Sequence, residues 1–288
     1  MRKKEKSGVT LNRSTAGTAA MAIFIVCYAA VMVLPLILMI SNSLKPLNEL
    51  WIFPPKLLPT NPTLKNFKDM FIVMSNSTIP FTRYLMNTVV ITVAGTVGNV
   101  IISSLCAYPL SKMKFKGRSI VFKTIVLALM FNGSVTAIPS YLVMTKLHLV
   151  DNLLAIILPA VSTPVGLYLM KQFMDSSIPD ALLEAASIDG ASQIQLFTTI
   201  VMPNVKPAWM TLILLSVQGL WNTGSSTLIF SENNKSFAYA IQQIGSAGIS
   251  RAGVAAAASV VMMSVPVIVF VISQSQVLQT MATSGMKD

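Results

Sequence analysis

The chain has 288 residues, of which 53% are hydrophobic and only 11% are charged, against about 25% charged in a soluble domain. Together with a mean hydropathy of +0.68, this composition excludes an ordinary soluble globular protein. The 21 Lys and Arg residues exceed the 10 Asp and Glu residues and give a formal net charge of +11. These basic residues cluster beside apolar segments rather than on one solvated face, which indicates membrane topology and no nucleic-acid partner.

Six apolar segments follow one another along the chain, each close to the roughly 20 residues that cross a bilayer as a helix. The first is longer than the roughly 7–15-residue core of a signal peptide, so we interpret it as a retained signal anchor. The fourth contains Pro159 and Pro164, and we expect a kinked helix there. The pattern therefore predicts an all-α membrane protein with six transmembrane helices. The predicted spans are Gly17 to Ile40, Leu85 to Leu110, Thr124 to Met144, Leu153 to Met170, Trp209 to Phe230 and Gly253 to Ser273.

The density of Lys and Arg gives the orientation, because positively charged flanks resist translocation. Five basic residues precede the first predicted span and five more crowd the connection between the second and third, so both segments are expected in the cytoplasm. Six spans then place both termini inside. We divide the chain into a basic cytoplasmic amino terminus (1–16), a six-span domain (17–273) with a cytoplasmic loop at 171–206, and a cytoplasmic tail (274–288). The ten residues are Arg2, Lys3, Lys4, Lys6, Arg13, Lys112, Lys114, Lys116, Arg118 and Lys123.

The segment after the first predicted span, WIFPPKLLPTNPTLKNF, contains four prolines, and we expect a stiff, extended connection with Trp51 and Phe53 near the membrane interface. It is either a tether or a docking surface outside the cell. Cys27 and Cys106 lie within predicted spans and are expected to be buried and unpaired. His148, the single histidine, lies in a short outer loop without a second ligand nearby, so we predict no metal site and no catalytic residues.

The loop at 171–206 predicts a helix, a turn and a second helix along the inner membrane surface. Start signals at Ser177, Pro179 and Asp180 precede the helix-forming run ALLEAA, and Asp189-Gly190 breaks that helix. The second stretch, ASQIQLFTTIV, is predicted to place Ile194, Phe197 and Val201 on one stripe and to end at Pro203. From the residues alone, this loop is either a connector packed on the bundle or a surface that a cytoplasmic partner holds.

One spacing in this loop resembles a known signature. Glu184, Ala185 and Ala186 are followed after three residues by Gly190, and further on by Ile200 and, after one residue, by Met202-Pro203. This pattern is similar to the EAA signature of permease subunits of binding-protein-dependent ABC importers, with Met202 where leucine is usual. Further segments resemble the carbohydrate, maltose-permease-like branch, and the stretch ISRAGVAAAASVVM resembles oligosaccharide permeases of Gram-positive type. The branch-specific segments are AYPLSKMKFKGR, LVDN, IPDALLEAASIDGAS, KPAW and the pair Trp221-Asn222.

The resemblance implies the transmembrane domain of a type I ABC importer in the bacterial cell membrane, with a coupling helix that docks on a cytoplasmic ATPase. It implies that Glu184 faces the ATPase and that Gly190 permits the turn between the helices. The implied partners are a second six-span permease chain, two ABC ATPase subunits, an external solute-binding protein, membrane lipid and an oligosaccharide. Because the sequence has no GxxxxGK[ST] phosphate loop, ATP and Mg are expected on the ATPases, with no cofactor in this chain. The expected ATPase-coupling residues are Glu184, Ala185, Ala186, Asp189, Gly190 and Pro203.

Polar and aromatic residues within the spans are candidates for a sugar pathway, since amides hydrogen-bond hydroxyls and an indole stacks on a sugar ring. The same residue types commonly bond neighbouring helices instead. The principal candidates are Asn132, Ser134, Gln218, Trp221 and Asn222; Asn99 and Thr136 are further ones.

Alternative classes remain open at this point. A permease for a non-sugar solute fits the same signature. A secondary transporter usually carries ionisable groups at mid-membrane, and the six apolar segments contain no central Asp, Glu, Lys or Arg. A purely structural membrane anchor fits the composition but leaves the EAA spacing without explanation.

Overall fold

The computed structural model of the protein describes residues 15–75, 79–224, 227–246 and 248–284, and every regular element within them is helical. The basic residues at 2–13 and the end of the predicted tail therefore lie outside the described residues. Two single-turn 3₁₀ segments, Glu232–Asn234 and Ile249–Arg251, and one π-helical segment, Leu196–Val201, complete the set. The α-helices are α1 Thr15–Leu44, α2 Leu47–Leu50, α3 Lys65–Ser75, α4 Phe81–Lys112, α5 Arg118–Ala128, α6 Gly133–Lys146, α7 Leu154–Val161, α8 Pro164–Ser177, α9 Asp180–Ile188, α10 Gln193–Gln195, α11 Met202–Asn204, α12 Lys206–Trp221, α13 Phe237–Ser246 and α14 Ala252–Ser284.

Four stretches are long and apolar enough to cross a membrane: α1, α4, the α7–α8 pair and α14. Two further pairs, α5 with α6 and the 193–204 segment with α12, bring the number to six if each bent pair is one span. The described helices therefore provide between four and six crossings. The exact count of six stays a prediction.

The predicted third span is not one helix. It is divided between α5 and α6, whose axes differ by 108°. Asn132 caps α6 by accepting a hydrogen bond from the amide of Ser134 at 3.1 Å, so a new helix begins within the predicted span, at the short polar segment 132–134 that interrupts its apolar pattern. Local capping thus overrides the hydropathy signal at this point.

The structure confirms the prediction for the fourth span but not that for the fifth. The expected kink is confirmed: α7 ends at Val161, and α8 begins at Pro164, whose missing amide hydrogen is tolerated in the first turn. The fifth predicted span, by contrast, extends nine residues too far. Helix α12 ends at Trp221, and the next described element is the short 3₁₀ segment Glu232–Asn234, which precedes α13.

Helix α4 is the centre of the bundle and packs against α7, α8 and α12, while α12 packs against α14 and α14 against α1. Asn99, in the middle of α4, is buried and joins three of these helices. Its amide donates to Ser216 on α12 at 2.9 Å, and its Oδ1 accepts from Thr163, the residue before α8, at 3.0 Å. Asn99 therefore links these helices through its side-chain amide.

Close packing around Asn99 depends on a glycine. A Cβ atom on Gly166 of α8 would lie 2.6 Å from the Ser103 hydroxyl and 2.8 Å from the Asn99 amide oxygen. A side chain there would displace the Asn99 and Ser103 side chains or move α8 away from α4.

Helices α1 and α6 contrast with this core. The apolar stretch of α1 has no buried residue, and Met144 is the one buried residue of α6. Cys27 on α1 and Cys106 on α4 are free and exposed, so the expectation that they are buried is wrong for the isolated chain. Large apolar surfaces on these helices require lipid or another membrane chain to cover them.

Candidate functional site

The segment 171–206, called here the EAA loop, contains the end of α8, then α9, α10, the π-helical segment and α11. Its exposed part begins with α9. This helix ends in a Schellman motif: the amide of Ala191 donates to Ala186 at 3.0 Å, and the amide of Gly190 donates to Ser187 at 3.1 Å. Gly190 has φ +85, a left-handed conformation that costs other residues about 1–2 kcal/mol. The turn that the sequence predicted at Asp189-Gly190 is present. Ser177, however, ends α8 rather than starting α9.

The second limb of the EAA loop starts at a capping box. Ser192 accepts from the amide of Gln195 at 3.4 Å, and the Gln195 side chain accepts from the Ser192 amide at 2.8 Å. The predicted stripe on this limb is correct for Val201, which is buried, and for Phe197, which packs against the buried cluster, but wrong for Ile194, which is 76% exposed while Leu196 is buried. The reason is the π-helical winding of 196–201, in which residues five apart share a face. The limb also continues one residue past Pro203, to Asn204.

One face of the EAA loop is fixed to the ends of α4 and α8. Leu183, Leu196 and Val201 belong to a buried apolar cluster that also contains residues of both helices. The rings of Tyr108 and Phe197 lie 5.5 Å apart, and the Tyr108 hydroxyl donates to the Gln193 side chain at 3.0 Å. The loop is therefore packed onto the ends of α4 and α8 rather than being a free linker.

A cation holds the start of α9. The Lys112 ammonium, at the end of α4, donates to the carbonyl of Ile178 at 2.6 Å and to the Asp180 carboxylate at 2.8 Å. These interactions lower the pKa of the Asp180 carboxyl below its usual value. The Asp180 carboxylate is thus already paired within the chain.

The opposite face of the EAA loop is exposed. Glu184, Ala185, Asp189 and Gly190 lie on it, and Pro203 is exposed on the second limb, while Ala186 is half-buried. In the part of the chain that the structure describes, neither Glu184 nor Asp189 makes an ion pair. Sequence reasoning missed the apolar part of the exposed surface, where the side chains of Ile188 and Ile194 are 86% and 76% exposed. The missed signal was an isoleucine beside a helix-breaking Asp-Gly pair, outside the apolar stripe.

The structure brings together only some of the predicted pathway residues. Gln218 and Asn222 line a cavity of about 620 Å³ between α12, α13 and α14. Asn132 and Ser134 lie instead at the start of α6, where they cap it, with Thr136 one turn further on. These two groups do not form one site within the chain.

Trp221, the last residue of α12, is only 5% exposed. Its indole N–H donates to the carbonyl of Met262 on α14 at 2.8 Å. This carbonyl lies four residues before Pro266, which has no amide hydrogen to offer it. Trp221 therefore satisfies the backbone group that the proline leaves free, and its indole nitrogen is already engaged.

Residues 20–282 match the family described as binding-protein-dependent transport system inner membrane component. The chain belongs to this family. Protein LplC of Bacillus subtilis (strain 168) is 33% identical to this chain over 201 residues. The match covers 70% of this chain and 65% of LplC, which is just under two thirds of that protein. The polygalacturonan/rhamnogalacturonan transport system permease protein YtcP of the same organism is 32% identical over 207 residues, 72% of this chain and 70% of that protein.

A solved structure shows the same fold. The chain is similar, with a TM-score of 0.78, to a chain in the crystal structure of a bacterial ABC transporter involved in the import of the acidic polysaccharide alginate. The match covers 91% of this chain and 98% of that chain at 23% identity. The all-helical architecture is therefore that of an ABC importer permease.

Proposed function

We propose that this family member is one permease subunit of an ATP-driven type I ABC importer and forms half of the pathway for an oligosaccharide. The EAA loop is the observation that carries the proposal. One of its faces is fixed to α4 and α8 by the apolar cluster and by Lys112, and its other face is exposed. A rigid elbow with one unoccupied face is suited to receive a displacement and pass it to the membrane helices.

The exposed face matches a separate ATPase in its chemistry. Ile188 and Ile194 provide apolar contact, and the carboxylates of Glu184 and Asp189 suit a basic cleft. In this proposal α9 is the coupling helix and the EAA loop lies in the cytoplasm with both termini. ATP and Mg bind to the ATPase pair, so this chain performs no hydrolysis itself.

The cargo is assigned to oligosaccharides because relatives that transport sugar polymers match most of the chain. Within the chain, the amides of Gln218 and Asn222 face one cavity and can hydrogen-bond hydroxyl groups. An external binding protein delivers the sugar. A second permease chain covers α1 and α6, whose apolar surfaces stay exposed in the single chain.

Reconstitution tests this function. The full-length chain, with the subunits that copurify with it, is placed in proteoliposomes with the binding protein and a labelled oligosaccharide. Uptake is expected only when ATP is supplied on the EAA-loop side, and a non-hydrolysable analogue is expected to abolish it. Uptake that continues without ATP would instead indicate a secondary transporter, and ATP-dependent uptake of a non-sugar solute alone would reassign the cargo.

A further inference from the structure

The loop from Lys45 to Leu64, between α1 and α3, buries two charged side chains and exposes several large apolar ones. Its ends are joined where the amide of Thr63 donates to the carbonyl of Leu44 at 2.8 Å. A loop in water normally places its polar groups outside and its apolar groups inside. Because this loop instead exposes large apolar side chains and buries charged ones, we expect its exposed side to contact something other than water.

Two buried charged side chains organise the interior. The Lys45 ammonium, in a residue only 3% exposed, donates to the Lys56 carbonyl at 2.5 Å and to the Asn42 amide oxygen at 3.0 Å. The Glu49 carboxylate accepts the amide hydrogens of Thr60 and Asn61. Backbone hydrogen bonds from Thr60 hold the pKa of Glu49 below its usual value. These hydrogen bonds hold the proline-rich segment against the start of the loop.

A buried amide ties this loop to the bundle. Asn66, at the start of α3, donates to the carbonyls of Ser43 and Lys45 at 2.8 and 2.7 Å. Helix α14 approaches so closely that a Cβ atom on Gly253 would lie 2.5 Å from the Asn66 amide oxygen. The loop therefore has a set position at the bundle end opposite the EAA loop.

The exterior is formed by large apolar side chains. Phe53 is 92% exposed, and its neighbours in the loop are also on the surface. They share the face with Lys56, whose ammonium bonds only the Thr60 hydroxyl in the described structure. We call this surface the apolar crest; it consists of Trp51, Ile52, Phe53, Leu57 and Leu58.

We propose that the apolar crest inserts into the boundary between headgroups and acyl chains of the membrane, on the side opposite the EAA loop, and that phospholipid is its occupant. The position of the loop supports lipid. Helix α1 has 30 residues and a length of about 45 Å, close to the roughly 40–45 Å of a bilayer with its headgroups. Trp51 follows the end of α1 by only seven residues, so the crest lies at the depth of the interface.

The residue types support the same occupant. Trp and Phe are favoured at the membrane interface, and a lysine among them can pair with lipid phosphate. Because the interior bonds hold the loop rigid before insertion, little chain entropy is lost when it enters the membrane. The loop then anchors the α1–α14 edge of the bundle to the lipid.

Site-directed fluorescence tests the anchor in the assembled transporter. In a Cys27→Ala, Cys106→Ala background, a polarity-sensitive probe is attached through Phe53→Cys, and the complex is placed in phosphatidylcholine vesicles. A probe at position 53 is expected to emit at shorter wavelength than in water, to lose most of its emission with brominated acyl chains, and to resist iodide. The matched control places the probe through Asn61→Cys, on the polar side of the same loop, where iodide is expected to quench it.

Three outcomes would overturn the proposal: equal iodide quenching at positions 53 and 61; protection of position 53 that develops only when the binding protein is added; and protection of position 53 from both quenchers, which would indicate a protein neighbour. Trp51 provides a check without a label. In the otherwise unaltered chain, quenching of tryptophan emission by brominated lipid is expected to fall with Trp51→Tyr. If it does not, Trp51 is not in lipid.

Discussion

A single carboxylate connects two loops at the bundle end opposite the EAA loop. Asp151, with φ 64, lies between α6 and α7. Its carboxylate accepts from the amides of Phe230 and Ser231 at 3.0 and 2.8 Å and from the Ser231 hydroxyl. Its backbone is also engaged, since its amide donates to Leu228 at 2.7 Å and its carbonyl accepts from the Asn234 amide at 2.6 Å. These bonds lower the pKa of Asp151, with the Ser231 hydroxyl as the largest cause.

Asp151→Asn is expected to lower the free energy of unfolding by about 1–2 kcal/mol at neutral pH, because Asn tolerates the left-handed backbone but loses the charge in these bonds. The folded state has the lower pKa, so the stabilisation is present above the ordinary value of 3.8 and is lost as pH falls through the folded value. Thermal unfolding in detergent measures this. The difference in stability between Asp151→Asn and the unaltered protein should disappear in acid. The exposed control Asp189→Asn should be as stable as the unaltered protein. A stability difference that does not depend on pH would contradict a role for the Asp151 charge.

Gly190→Val places a β-branched residue at φ +85 in the turn after α9 of the EAA loop. Only glycine and, less well, Asn or Asp are tolerated in this conformation. We expect membrane insertion to be unchanged and substrate-stimulated ATP hydrolysis to be lost, because the Schellman turn that orients α9 cannot form without strain. ATPase assays in proteoliposomes, beside expression level, measure the two effects. Gly190→Asn is the control and should retain most coupling; normal coupling in the Val variant would show that the turn is not required.

Glu184→Lys is expected to weaken the association of ATPase subunits, since it puts a positive charge on the acidic exposed face of α9. Glu184→Gln keeps the shape and separates the contribution of charge from that of packing. Copurification of the ATPase at increasing salt measures the effect, which should decline as salt screens the charges. Equal recovery with Lys, Gln and Glu at position 184 would remove this residue from the interface.

At the scale of elements, helices α4, α8 and α12 are held at their crossing by one amide and one glycine. Asn99 bonds Ser216 and Thr163, and Gly166 lets α8 approach to van der Waals contact with this network. Buried polar groups of this kind contribute only while all their partners are in place. The crossing should therefore tolerate little added volume.

Gly166→Ala is expected to destabilise the chain by about 1–3 kcal/mol, because the new methyl group would lie within contact distance of Asn99 and Ser103. Gly219→Ala in α12 is the matched control. A Cβ atom there meets nothing within 4 Å, so the substitution should be neutral or stabilising by up to about 1 kcal/mol. Thermal unfolding in one detergent compares the two, and equal stability would show that α8 can shift at no cost.

At the scale of the molecule, orientation is a prediction from the basic residues. Ile188→Cys and Asn61→Cys, each in the Cys27→Ala, Cys106→Ala background, place exposed thiols at opposite ends of the bundle. A membrane-impermeant maleimide added outside intact cells should label position 61, whereas labelling of position 188 should require permeabilised cells. Labelling of position 188 from outside would place the EAA loop on the wrong side of the membrane for a cytoplasmic ATPase.

Several features could be predicted from the sequence because they depend on local chemistry. Helices α1, α4 and α14 follow from apolar length, the kink between α7 and α8 follows from Pro159 and Pro164, and the elbow follows from Asp189-Gly190. The α5–α6 bend and the early end of α12 were not predicted, because hydropathy averaged over a whole span carries a predicted helix across short polar segments, here residues 132–134 and those after Trp221. The predicted stripe of the EAA loop was wrong at Ile194, because the assumed period of 3.6 does not hold in a π-helical turn.

The sequence by itself determined that the chain lies in a membrane, that it is helical, which family it resembles and where the turn at Gly190 occurs. Each of these depends on composition or on fixed local spacing. Only the tertiary structure decided what each polar side chain bonds. Asn99 joins helices, Trp221 occupies the carbonyl that Pro266 leaves free, and Lys45 and Glu49 turn inward while Phe53 turns out. The partners of these groups are distant in the chain or are set by the direction of the backbone, and hydropathy carries no information about either.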